Sequence, residues 1–198
     1  MSLSQATIRA KDFAIWLYGK TNNREFPNGV RERTAMSIFQ LSLDLHDAII
    51  VLLDAKLPGP ALSLARPLFE SYIRGFWLFN CASDKALNNF LNGKCPSLAA
   101  LVDAVENNVE TGGAWIHANK NHNLISFNDL THGGSEHVRR RNMDNSVEPN
   151  YPEEELESLV NFGVEVQIRI GVELFSQLND EDGIEQLHKM AQSFRGSS

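Results

Sequence analysis

Around the axis of a helix drawn through residues 60–81, Leu62, Leu64, Leu68, Phe69, Tyr72, Ile73, Phe76, Trp77, Leu78 and Phe79 occupy most directions. A helix without a polar face must be enclosed by other elements, so this segment is expected at the centre of a helical bundle. Pro67 lies inside it, lacks an amide donor and crowds the preceding turn, which predicts a bend near Ser63 unless the regular helix begins only there. Residues 30–57 come before it as a long amphipathic helix, with Met36, Phe39, Leu43, Ile50 and Leu53 on one arc and Gln40, Asp44, Asp47 and Asp54 opposite. His46 falls on the apolar arc and reads as a buried, hydrogen-bonded core residue. Pro58-Gly59-Pro60 stops this helix, and so short a turn implies antiparallel packing of the two.

The remaining chain continues the helical pattern. Residues 5–19 carry Ile8, Phe13, Ile15, Trp16 and Leu17 and fit a short amphipathic helix ending at Gly19. Ser83 caps a short helix to about residue 91, and Pro96-Ser97 opens another to about residue 109. A helix rich in His and Asn is expected over 114–132, closed by Gly133-Gly134, with an exposed loop over 139–150. Tyr151-Pro152-Glu153-Glu154-Glu155 is a strong start for a helix to about residue 178, and a last helix is expected over 181–194. The predicted fold is all-α: an up-down bundle of about six to eight helices in one domain, its core at 30–178 and its terminal helices peripheral.

Composition narrows the function classes. The 18 Lys+Arg against 25 Asp+Glu leave a formal charge of −7, which works against a broad electrostatic grip on nucleic acid or an anionic membrane. Two cysteines are too few for a disulfide framework, and the start Met1-Ser2-Leu3-Ser4 has no basic-then-apolar signal segment, so a cytoplasmic protein is expected. The densest apolar run, Ala48-Ile49-Ile50-Val51-Leu52-Leu53, is closed by Asp47 and Asp54, and no membrane-spanning segment is expected.

Two constellations carry candidate chemistry. Arg66, Glu70 and Arg74 are spaced i, i+4, i+8 on the apolar central helix, so they share one sector and can pair along it. Such a stripe is either a buried ion-pair network or the wall of a functional cleft. The second cluster is Asn128, Asp129, His132, His137 and Arg139-Arg140-Arg141. There Asp129 can orient the His132 imidazole for acid–base work, unless His132 merely bonds the last carbonyls of its helix. Asn128, His137 and the three arginines form either a phosphate contact or a solvated loop. His117 and His122 are five apart, as are His132 and His137, whereas helical metal ligands need a spacing of four; no metal or cofactor is expected.

The stretch Ala65-Arg66-Pro67-Leu68-Phe69-Glu70-Ser71-Tyr72-Ile73-Arg74-Gly75-Phe76-Trp77-Leu78, with Asn128-Asp129-Leu130-Thr131-His132-Gly133-Gly134 downstream, resembles uncharacterised bacterial helical domains that look like distant relatives of the HEPN superfamily. That resemblance implies a helical bundle that tends to form homodimers. In active members of the superfamily it implies an RNA-cleaving site built from Arg and His, often in toxin–antitoxin or phage-defence systems. A His would act as acid–base and an Arg would stabilise the phosphorane. The superfamily's Arg precedes its His by a few residues on one helix. Here the nearest arginine before His132 is Arg74, so Arg66 or Arg74 would have to meet His132 from a different helix. The rival reading is a non-enzymatic interaction module that binds a protein or a small metabolite through an apolar helical face or a small polar pocket.

Overall fold

A computed structural model describes residues 2–108 and 129–195. Among them nine helices are found: α1 (Leu3–Thr21), α2 (Val30–Asp54), α3 (Pro58–Ser63), α4 (Ala65–Asn80), α5 (Asp84–Leu91), α6 (Leu98–Asn108), α7 (Ser135–Arg139), α8 (Glu153–Gln177) and α9 (Glu181–Arg195). The described residues contain no strand, only an isolated bridge between Asn142 and Val147. The all-α expectation holds, and the helix number exceeds it for two local reasons. The segment expected as one bent helix is divided at Leu64 into α3 and α4, which places Pro67 in the first turn of α4, where its missing amide leaves no bond unmade. Ahead of the expected 139–150 loop, Ser135–Arg139 forms the one-turn helix α7.

Local chemistry sets the ends. Ser2 and Gln5 form a reciprocal capping box on α1, while Ser83 Oγ accepts from the Ala86 amide at α5 and Ser97 Oγ from the Ala100 amide at α6. Glu153, Glu154 and Glu155 fill the first turn of α8. Left-handed residues follow α1, α2 and α8: Asn23 (φ 59°), Lys56 (φ 61°) and Asn179 (φ 50°). Gly19 therefore does not stop α1, which runs on to Thr21.

α2 and α4 pack antiparallel, as their short connection requires. Phe39 sits against Gly75, and Ser42 Oγ donates to Ser71 Oγ at 2.8 Å in the buried seam. α8 runs parallel to α4, with Phe69 on Phe162 (6.1 Å between ring centres), and parallel to α1, with Trp16 on Phe175. Strict up-down alternation therefore ends at α4, because residues 81–152 return the chain to the end where α4 began. α1 and α9, expected at the periphery, instead drive Phe13, Leu17, Leu187 and Phe194 into the one hydrophobic cluster.

α2 is also long and apolar enough, by length and composition, to cross a membrane. That average tolerates Asp47, which together with Asp54 closes the densest apolar run in the sequence. In the bundle it packs against α1, α3, α4 and α8.

Candidate functional site

On α4, Arg66 Nε donates to Glu70 Oε1 and Arg74 Nη2 to Glu70 Oε2, each at 2.7 Å. One carboxylate thus holds two guanidinium groups, and its side chain is 16% exposed. The stripe turns away from the α2 seam, whose contacts come from Ser71 and Gly75. A second polar line follows α8. Glu165 makes a two-point pair with Arg195, both bonds 2.7 Å. Arg169 hydrogen-bonds Tyr72, and burial lowers its own pKa while raising that of the Tyr72 phenol. Burial likewise raises the Glu173 carboxyl, against a hydrogen bond from Asn80 that opposes the shift. The i, i+4 spacing of Glu165, Arg169 and Glu173 was the available signal.

The second constellation is assembled differently from the expectation. Asp129 faces α7: its carboxylate accepts from the Glu136 amide at 2.5 Å and from Ser135 Oγ at 3.3 Å, capping that turn. His132 is exposed, and no hydrogen bond or ion pair among the described residues joins it to Asp129 or to α4. Asn128, His117 and His122 lie outside the described residues. Within this cluster the half-buried imidazole is His137. Its Nε2 lies 2.7 Å from the Leu130 carbonyl and 3.2 Å from Ser63 Oγ, and its Nδ1 lies 2.9 Å from the Tyr151 hydroxyl. A carbonyl only accepts, so Nε2 carries the proton and cannot take one from Ser63. Ser63 and His137 are therefore a latch between α3 and the 130–151 segment, not a nucleophile and base.

The arginine triplet is taken up by the same segment. Arg140 donates to Glu155 (2.5 and 2.9 Å) and also pairs with Glu136. These carboxylates, Glu155 foremost, raise its pKa further, and Arg139 and then Arg140 lower that of Glu136. Arg139 pairs with Glu136 at 2.6 Å, and Arg141 donates to the Tyr151 hydroxyl at 3.2 Å. Among the described residues no group of His, Cys, Asp or Glu gathers as metal ligands.

His46 is fully buried, as its position on the apolar arc indicated, but the expected hydrogen bonds are not made. Gln167 and the Val160 backbone lie beside the ring, and neither nitrogen reaches bonding geometry with them. Burial pushes its pKa down to about 4.

The apolar surface that the bundle leaves uncovered lies elsewhere. Along the α1/α2 seam, Lys11, Ala14, Ile15, Tyr18, Asp47, Ile50 and Val51 line a groove of about 390 Å³. Ile15 is 70% exposed, Tyr18 66%, Val51 62% and Ile8, one turn before Lys11, 54%. The sequence did carry a signal. Neither Ile15-Trp16-Leu17-Tyr18 nor the run 48–53 can bury every side chain on one helical face. A cleft of about 530 Å³ with mixed polar and apolar walls lies where α1 and α8 begin, and the Leu3 amide there already donates to Glu153 Oε1 at 2.8 Å.

These elements define an all-α bundle with a closed ion-pair stripe and an open apolar groove. A family of unknown function, DUF6988, matches residues 39–197, and the chain belongs to that family. No curated protein and no solved structure matches the chain.

Proposed function

We propose that the protein is a non-enzymatic helical interaction module that docks a protein partner along the α1/α2 groove. The observation that carries this reading is the line of exposed apolar side chains Ile8, Ile15, Tyr18 and Val51 over a shaped groove. Contiguous apolar surface of this kind marks interaction sites. The enzymatic alternative, RNA-directed action in a toxin–antitoxin or phage-defence setting, needs Arg66 or Arg74 and His132 at one reacting centre. The docking reading draws further support from Glu70, which occupies both arginines, and from the engagement of Arg139, Arg140 and Arg141 with Glu136, Glu155 and Tyr151.

The test sets the two readings against each other. A photo-crosslinking side chain placed at Val51 in cells should yield a discrete protein adduct that Ile15→Asp abolishes, and the same probe at exposed Glu181 should not. An RNA-cleaving activity of the purified chain that His132→Ala or Arg66→Ala abolishes, with the thermal midpoint unchanged, would overturn the proposal.

A further inference from the structure

The geometry points to a basic amphipathic helix as the occupant of the α1/α2 groove, an inference that rests on the docking reading and specifies the partner's chemistry. The groove is a straight seam between two antiparallel helices, where a third helix can lay an apolar stripe. Its lining on α1 runs from Lys11 to Tyr18, and the exposed Ile8 extends that apolar line by one further turn. At 1.5 Å per residue the whole line is about 15 Å, or roughly three turns of an occupant with anchors at i, i+3 or i+4, and i+7. Val51 faces the same groove from α2.

The charge at the rim selects the sign of the partner. Lys11 is paired with Asp54. Asp44 and Asp47, one turn apart on the exposed side of α2, have no ion pair among the described residues, and Asp12 is exposed on α1. The groove thus presents uncompensated carboxylates beside apolar surface, and Lys or Arg residues flanking an apolar stripe would neutralise them. Burial, with Asp44 adding to it, already raises the Asp47 carboxyl, a cost that a neighbouring cation relieves. A second copy docking groove to groove would instead face one acidic rim with another.

The full-length chain is titrated against a labelled 18-residue helical peptide with Leu at i, i+3, i+4 and i+7 and Lys on its flanks, followed by fluorescence anisotropy. A Glu-for-Lys peptide serves as the comparison. The Lys peptide should bind at least about tenfold more tightly at ~0.1 M salt, a difference of about 1.4 kcal/mol. The Asp44→Asn/Asp47→Asn double variant should weaken it about fivefold and flatten its salt dependence, as expected for rim charges. Glu181→Gln/Asp182→Asn on α9 should leave binding within about twofold, which excludes general attraction to an acidic protein. Ile15→Asp and Val51→Asp, both at exposed positions and so compatible with folding, should abolish binding.

Equal binding of the two peptides, still lost with Val51→Asp, would overturn the cationic partner and leave the groove reading standing. Absence of binding, or binding indifferent to Ile15→Asp and Val51→Asp, would overturn both. A dimer in sedimentation that Val51→Asp dissociates would show that a second copy fills the groove and would also overturn the proposal.

Discussion

Glu70 is the most heavily shared side chain on α4, since one carboxylate satisfies Arg66 and Arg74 together. Its removal leaves two half-buried cations facing each other. Glu70→Ala is therefore expected to destabilise by about 2 kcal/mol in urea denaturation, between the values typical of exposed and of buried pairs. Adding Arg74→Ala should cost less in the Glu70→Ala background than in the wild type, and strict additivity would argue against coupling. His46 makes a different prediction, concerning pH. Its pKa is lowered from 6.5 to about 4 in the fold, so between these values the unfolded chain binds one more proton than the folded one. Stability from this group is complete above pH 6.5 and falls as pH drops towards 4, by about 1.4 kcal/mol per unit and about 3 kcal/mol in all. Asp47 and Glu173, whose folded pKa values are raised, act oppositely near their own range. The difference between wild type and His46→Gln against pH isolates the imidazole, and a difference flat across pH 4–6.5 would refute the assignment.

Helix–helix seams depend on small residues that sequence periodicity does not weigh. Gly163 on α8 lies directly under the His46 ring, and a Cβ there would overlap it, with Cγ of His46 at 2.7 Å. Gly163→Ala improves helix propensity by about 1 kcal/mol, but overpacking of a closed seam costs roughly 1–3 kcal/mol and should win where the ring has no room to move. The expected outcome is a lower urea midpoint for Gly163→Ala. Much of that loss should be recovered when His46→Ala is added, and no recovery would mean that the clash lies elsewhere. Helix existence was legible in the apolar arc of α2, the all-round apolar surface of α4 and the Pro152 and Glu153 start of α8. Helix ends were less so: α1 passes through Gly19, whereas Asn23, Lys56 and Asn179 take the left-handed conformation usually reserved for glycine. Asn tolerates that conformation and Lys does not announce it, so only the backbone reveals these stops.

For the molecule as a whole, α1 matters more than its terminal position indicates. It buries Ala6, Ala10, Phe13 and Leu17 against the bundle. Phe13 and Leu17 alone account for roughly 3–6 kcal/mol of burial, comparable to the entire 5–15 kcal/mol stability of a typical domain. A chain lacking residues 1–21 is expected to lose its cooperative thermal transition and to bind a hydrophobic dye such as ANS. A sharp transition with unchanged midpoint would show that α1 is dispensable. The same helix supplies half of the open groove. One of its faces holds the bundle together, and an adjoining one leaves Ile8, Ile15 and Tyr18 exposed.

The sequence by itself determined what depends on neighbours along the chain: most of the helices among the described residues, the capping residues Ser83 and Ser97, and the i, i+4 pairing of Arg66, Glu70 and Arg74. Each follows from contacts within one or two turns, which periodicity and spacing encode. Tertiary structure alone decided which groups meet from distant segments. It set α8 parallel to α4, turned Asp129 towards α7, enclosed His137 between Ser63, Leu130 and Tyr151 while leaving His132 exposed, and buried one face of α1 while opening the next. Those outcomes turn on how helices cross and on which side of each is already covered, and a one-dimensional pattern does not carry that information.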